Sequence, residues 1–184
     1  MPTGYQIKDQ DALYYLTLQV VQWADIFTRQ VYRDIIIDSL KYCREQKELE
    51  LFAYVIMSNH VHKIVRSKNG SLSNTIRDFK RHTSKKILEC IKDQSESRRD
   101  WLLMIFRYAA KKHKRNNEFQ FWTHENHAIE LDNNVMIDQC IDYIHMNPVK
   151  AGIGIVANPE DYLYSSARNY AEMDNLMEID NIEG

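Results

Sequence analysis

The chain has little of what marks a linker, a fibre or a cross-linked miniature fold. Its 184 residues include only 5 Gly and 3 Pro, which excludes collagen-like, linker and low-complexity tracts. Cys43, Cys90 and Cys140 are odd in number and form no CxxC pair. That pattern points away from a zinc ribbon or a disulfide frame and toward a reducing compartment. No apolar run reaches the ~18 residues that a membrane span needs. The N-terminal stretch MPTGYQIKDQDALYYL has no basic region followed by an apolar one, so no signal peptide is expected. The expectation is a cytoplasmic protein with no membrane partner. A glycine-rich phosphate loop of the Walker type is also missing, so ATP chemistry is not expected.

What is present is an ordinary globular composition with an uneven charge. Hydrophobic residues make up 44% of the chain, enough for one domain with a real core. The net charge of −2 hides a strong asymmetry. Lys63 to Arg115 carries 16 Lys and Arg against 5 Asp and Glu, a net of +11, and the rest carries 8 against 21, a net of −13. A localised basic segment of this size is the electrostatic footprint of a polyanion partner, or else a solvated basic helix face.

Hydrophobic periodicity gives the elements. YYLTLQVVQW (14–23) alternates with Leu16, Leu18 and Val20 on one face, a first strand. Residues 32–47 place Ile36, Leu40 and Cys43 at helical spacing. LELFAYVIM (49–57) is apolar on both faces, as a central strand is. A tight turn at SN leads into HVHKIVRS, a strand pairing back on the previous one. A helix is predicted over about 73–92, a second over 101–115, strand and turn over 119–131, and a helix over 132–148 that stops at Pro148. PEDYLYSSARNYA reads as irregular or briefly helical. The order β-α-β-β-α-(α)-β-α points to an α+β fold, a ferredoxin-like antiparallel sheet flanked by helices. Residues 1–171 read as a single domain and 172–184 as an acidic, loose C-terminal tail.

The chemistry-bearing feature is SNHVHKIV (58–65). In a strand, residues two apart share a face, so His60, His62 and Ile64 point one way and Val61, Lys63 and Val65 the other. Two converging imidazoles make half of a divalent metal site. On the helix ending at Pro148, Tyr143 and Asn147 are four apart and share a face. An amide oxygen is a hard ligand of the kind Mg²⁺ or Mn²⁺ accepts, and a phenol becomes a nucleophile only when activated. Spacing alone leaves Tyr108 and Tyr162 as alternatives to Tyr143. Arg77, Arg81 and Lys85 form a stripe flanked by Lys80 and Lys86 that suits tracking of phosphates, with Trp122 as a stacking platform or a core residue. His124 and His127 would fall on opposite faces of an extended segment, which argues against a second metal site. Lys63, on an otherwise apolar face, must lie near the sheet end, snorkel out or face a nucleic acid.

Four segments occur in order: YVIMSNHVHKIV, FWTHENHAIEL, DYIHMNPVKAGI and YLYSSARNYA. Together, over roughly residues 10 to 171, they resemble the Y1 transposases of the insertion-sequence 200/605 type, and more closely their REP-associated tyrosine transposase branch. The resemblance implies a ferredoxin-like domain with the HUH motif on a central strand. It also implies metal-dependent cleavage and rejoining of single-stranded DNA, often next to a hairpin, through a 5′-phosphotyrosine and a free 3′-OH. Carried over by motif, His60 and His62 are the metal ligands and Tyr143 the nucleophile. Asn147 is the third ligand where simpler relatives use a Gln, and its place before Pro148 predicts a frayed helix end. Mg²⁺ or Mn²⁺ is the implied ion. Ser58 replaces a common Pro, and Lys63 a common apolar residue. Small relatives complete each site with a partner's Tyr, whereas the REP-associated branch implies a monomer, so monomer and homodimer both stay open. The alternatives are a domesticated DNA-hairpin-binding module without catalysis, and a replication- or mobilisation-type nickase. The latter usually comes in longer chains.

Overall fold

The computed structural model describes residues 6–93, 96–112, 118–151 and 155–182. Four strands, β1 (Tyr14–Gln19), β2 (Leu49–Ile56), β3 (His60–Ser67) and β4 (Ile129–Glu130), form one sheet in the order β2-β3-β1-β4. Every pairing is antiparallel. Helix α1 (Gln30–Gln46) links β1 to β2, while α2 (Leu72–Asp93) and α3 (Arg99–Lys111) lie between β3 and β4. Helix α4 (Asn134–Lys150) and the short α5 (Ala167–Tyr170) complete the chain. The split β-α-β connectivity around a central β3 is that of the expected ferredoxin-like fold.

The register sorts the side chains into two layers. Leu16 pairs with Lys63 and Leu18 with Val61, and this face meets α1 and α2. Fully buried Leu16, Leu18, Val61 and Val65 pack there with Ile36 and Leu40 of α1 and Ile76, Phe79 and Ile87 of α2. Each such side chain contributes about 1.5–3 kcal/mol by leaving water. The other face carries Tyr15, Thr17 and Gln19, opposite Ile64, His62 and His60, and α4 lies against β2 and β3. The α4 N-terminus is capped by Asn133, whose side-chain oxygen accepts from Met136 N at 2.9 Å, one of the donors a helix start leaves open.

Lys63 is the exception in the core. It is 0% exposed, and among the described residues its Nζ has no hydrogen-bond partner. The ammonium stands over the Phe79 ring, 4.1 Å from the centroid, a cation–π contact that offsets part of its desolvation. Burial lowers its pKa to about 8. It therefore neither snorkels out at a sheet end nor faces a nucleic acid.

Three expectations change. β1 ends at Gln19, because Val21–Trp23 turns into a 3-10 helix with Gln22 at φ 54° and Trp23 at φ 55°. Helix α4 runs through Pro148 to Lys150. A proline in the last turn removes one hydrogen bond, and the helix continues with Ala151 N donating to Asn147 O at 2.9 Å. Asn147 thus lies inside the helix rather than at a frayed end.

The segment after Ala171, expected as a loose tail, lies along the free edge of β2. Asp180 N donates to Leu51 O and its Oδ2 accepts from Leu51 N, both at 2.8 Å. Further along the same edge, Ser166 N donates to Tyr54 O and Ile56 N to Tyr164 O, both at 2.9 Å. These bonds cover backbone that an exposed edge would offer to another chain. The basic end expected beyond Lys112 and the turn after Ala151 fall mostly outside the described residues.

Candidate active site

The site starts from strand geometry. His60 and His62 point to the α4 side of β3, with ring centroids 4.5 Å apart. Each ring is held at Nδ1. Asn59 Oδ1 lies 2.6 Å from Nδ1 of His60. Tyr15 Oη and Thr17 Oγ1 lie 2.8 and 2.9 Å from Nδ1 of His62. A proton on Nδ1 then has an acceptor in both rings, which leaves the lone pair of each ring on Nε2. Burial lowers the pKa of His60 to about 4, and burial with the neighbouring His60 lowers that of His62 to about 3. Both imidazoles are neutral at pH 7, the form a metal binds.

Helix α4 brings Tyr143 to this pair. Its ring lies 5.4 Å from His62 and 6.3 Å from Tyr15, edge-on to both. Tyr143 is 55% exposed, so its hydroxyl is open to a substrate. Half-buried Asn147 follows one turn later on the same helix face. Between them, buried His145 faces away and anchors the helix. Its Nε2 lies 2.9 Å from Ser166 Oγ, and its ring stacks edge-on against Tyr170 at 4.8 Å.

Two imidazoles supply only part of a divalent-ion site. Among the described residues no three His, Cys, Asp or Glu side chains converge on one point. A cation at the histidine pair would rest on two neutral imidazoles and take its other ligands from an amide or from phosphate oxygens. The pair fits such an ion because both rings are already oriented through Nδ1.

His62 and Tyr143 line a cleft of about 710 Å³, whose rim includes Trp23, Lys112, His124 and His127. His124 and His127 belong to a loop that crosses the end of β1. Thr123 N donates to Gln19 O at 2.8 Å and Thr17 N donates to Asn126 O at 2.9 Å. His127 Nε2 is 3.8 Å from Glu125 Oε2.

The basic residues separate into different roles. Arg77 and Arg81 are exposed and border a second groove of about 500 Å³, formed with residues 119–124 and Asn126. Lys80 also lines that groove, but its ammonium is engaged by the neighbouring loop. Its Nζ donates to Thr123 O at 2.7 Å and Asn126 Oδ1 at 2.8 Å, pinning the loop between groove and cleft. Burial lowers its pKa to about 8. Lys85 is exposed and 3.9 Å from Glu89. Lys86 lies on the other side of α2, lining a cavity toward α1 with Tyr42 and Asp78, so it is not part of the groove.

Trp122 is likewise not a stacking platform. It is 5% exposed, packs against Phe27 and Phe121, and donates from Nε1 to Thr83 Oγ1 at 3.0 Å. The residues that sequence reasoning missed are Tyr15, Thr17, Asn59 and Trp23. A signal existed for two of them: with Leu16 and Leu18 facing the core, Tyr15 and Thr17 had to face the histidines.

No curated protein matches the chain. A solved REP-associated tyrosine transposase bound to a REP hairpin shares the fold, with a TM-score of 0.61 at 17% identity over 100% of this chain and 94% of that one. A candidate transposase from Deinococcus radiodurans R1 aligns at a TM-score of 0.44 and 17% identity, over 79% of this chain and 98% of that one. Among the described residues no helix is long and apolar enough to cross a membrane. Residues 11–102 match the family described as transposase, IS200-like. That span holds β1 to β3, α2 and both histidines, and α4 with Tyr143 follows it. The chain belongs to the IS200-like transposase family.

Proposed function

We propose that the chain is a metal-dependent transesterase that cleaves and rejoins single-stranded DNA, with Tyr143 as nucleophile. The observation that carries this reading is the meeting of Tyr143 with His62, 5.4 Å ring to ring, beside a second histidine oriented in the same way. Nε2 of His60 and His62 and the amide oxygen of Asn147 would hold Mg²⁺ or Mn²⁺. The bound ion would act as a Lewis acid on the scissile phosphate and offset the charge that builds there.

The chain's own residues account for the rest. The Tyr143 oxygen forms a bond to phosphorus as the bond from phosphorus to the 3′ oxygen breaks. The phenolic proton passes to solvent, to which Tyr143 is open, and the departing 3′ oxygen takes up a proton. The products are a 5′-phosphotyrosine and a free 3′-OH, and the reverse step rejoins a strand without ATP. Arg77 and Arg81 track flanking phosphates along the groove, adding salt-dependent affinity. The solved relative's REP hairpin supports a hairpin beside the cleavage point in this chain's substrate as well.

The test is cleavage of a pool of end-labelled single-stranded hairpin oligonucleotides with Mn²⁺, Mg²⁺ or EDTA. Cleavage with either ion, abolished by EDTA and by His60→Ala with His62→Ala, is expected. Binding of hairpins with no cleavage under any condition would favour a DNA-binding module without catalysis.

A further inference from the structure

The turn between β1 and α1 holds a side chain that the reaction above does not use. Gln22 and Trp23 are consecutive non-glycine residues in left-handed backbone, with φ of 54° and 55°. L-residues rarely adopt this conformation even singly, and two in a row persist only where the surroundings fix them. Here they do. Val21 N donates to Phe121 O at 2.9 Å, Ala24 N to Val21 O at 3.2 Å, and Asn59 Nδ2 to Trp23 O at 3.3 Å. The same Asn59 amide presents its oxygen to His60 Nδ1. One side chain therefore ties the backbone of Trp23 to a histidine of the active site.

The outcome of this strained turn is that Trp23 is turned outward. At 69% exposed it is the most exposed large hydrophobic side chain among the described residues. It does not stand apart from the chemistry, because it borders the same cleft as His62 and Tyr143. Thr123, His124 and Lys112 line that cleft too, together with apolar Val20, Val21, Ala109 and Ile129 and the acidic Glu125. A flat exposed ring in a cleft of mixed apolar, polar and basic character matches a ligand that is itself a flat ring on a charged backbone. Bases of a single strand stack on aromatic side chains whatever their sequence.

We infer that Trp23 is a stacking platform for a nucleobase adjacent to the phosphate that Tyr143 attacks. The inference rests on the single-stranded DNA reading above and adds a contact that positions the strand. Trp122, the sequence-based choice for this role, is in the core, and Trp23 takes its place at the cleft.

The experiment uses the full chain, as wild type, Trp23→Ala and Trp23→Phe. Two fluorescently labelled probes are compared: oligothymidylate, and an abasic oligomer of equal length and phosphate count. The wild type should prefer oligothymidylate by about tenfold, and only that probe should quench its tryptophan emission. Trp23→Ala should lose the preference and the quenching while binding the abasic oligomer like the wild type. Trp23→Phe should retain most of the preference. If Trp23→Ala still prefers bases over abasic sites, the stacking role is wrong while the DNA reading stands. If the wild type binds neither probe, the DNA reading fails and the inference with it.

Discussion

The ring of His62 meets the ring of Tyr143 edge-on at a centroid distance of 5.4 Å. One belongs to the central strand of the sheet and the other to the helix that crosses its face. An oriented, neutral imidazole thus stands beside an exposed phenol. The orientation comes from β1, whose Tyr15 and Thr17 both reach Nδ1 of His62.

That arrangement makes Tyr15 and Thr17 partly redundant. Tyr15→Phe or Thr17→Val alone should weaken Mn²⁺ binding only slightly, because either hydroxyl accepts from Nδ1–H. The double variant should lose about 10- to 100-fold in affinity, the usual cost of removing the partner of a metal-binding histidine. Calorimetric titration with Mn²⁺ measures this. Equal affinity in the double variant would mean that His62 does not bind the ion through Nε2.

Lys80 and its neighbours Arg77 and Arg81 should separate cleanly. Lys80→Met removes the charged donor shared by the half-buried Thr123 O and Asn126 Oδ1 and should lower stability by about 1–3 kcal/mol, with faster amide exchange over residues 123–126. Arg77→Ala and Arg81→Ala should leave the melting temperature unchanged and each reduce the salt slope of DNA binding by about 1. Thermal melts, hydrogen exchange and binding at several salt concentrations distinguish the two roles.

Lys63 holds a buried ammonium that stands over the Phe79 ring and, among the described residues, has no hydrogen-bond partner. Lys63→Met keeps the volume and removes the charge, so it should stabilise the fold by about 1–3 kcal/mol. Urea denaturation is the measurement. A destabilised Lys63→Met would show that the ammonium contributes more than its desolvation costs.

The two histidines could be read from the sequence because a strand repeats every two residues, so HVH fixes a common face whatever else the fold does. The same rule supplied the two faces of β1 and, through them, the sheet layers. Residues set by tertiary contact were less legible. Helical spacing puts Lys80 beside Arg77 and Arg81, yet says nothing of the loop from 123 to 126 that buries its tip. The segment around Trp122 has no period to show which side faces inward, and its indole ends in the core on Thr83. Reading 14–23 as one strand passed over the left-handed turn at Gln22 and Trp23, since neither is a glycine that would announce it. Pro148 marked a helix end by general rule, whereas α4 continues two residues past it to Lys150.

Acid should weaken the connection between α1 and the start of α3. Glu96 accepts from Arg29 Nη1 and Tyr32 Oη, both at 2.8 Å, and from Arg98 N at 3.1 Å. Burial alone would raise its pKa, but the Arg29 hydrogen bond, the Arg98 N–H, the Tyr32 hydroxyl and the Arg29 charge together lower it from 4.5 to about 2. With a folded-state value below the unfolded one, the carboxylate stabilises the fold above about pH 4.5, and that stability is lost as pH falls toward 2. Glu96→Gln should therefore melt well below the wild type at pH 7 and close to it near pH 2. A difference in melting temperature that does not shrink with acid would contradict this origin.

The central claim is that Tyr143 forms the covalent bond to DNA, and its most direct test is a denaturant-resistant adduct. The wild type and Tyr143→Phe are incubated with Mn²⁺ and single-stranded hairpin oligonucleotides, then separated under denaturing conditions and identified by mass spectrometry. The account requires a protein–DNA adduct mapped to Tyr143 in the wild type and none in Tyr143→Phe. An adduct that survives Tyr143→Phe, or that maps to Tyr108 or Tyr162, would contradict it.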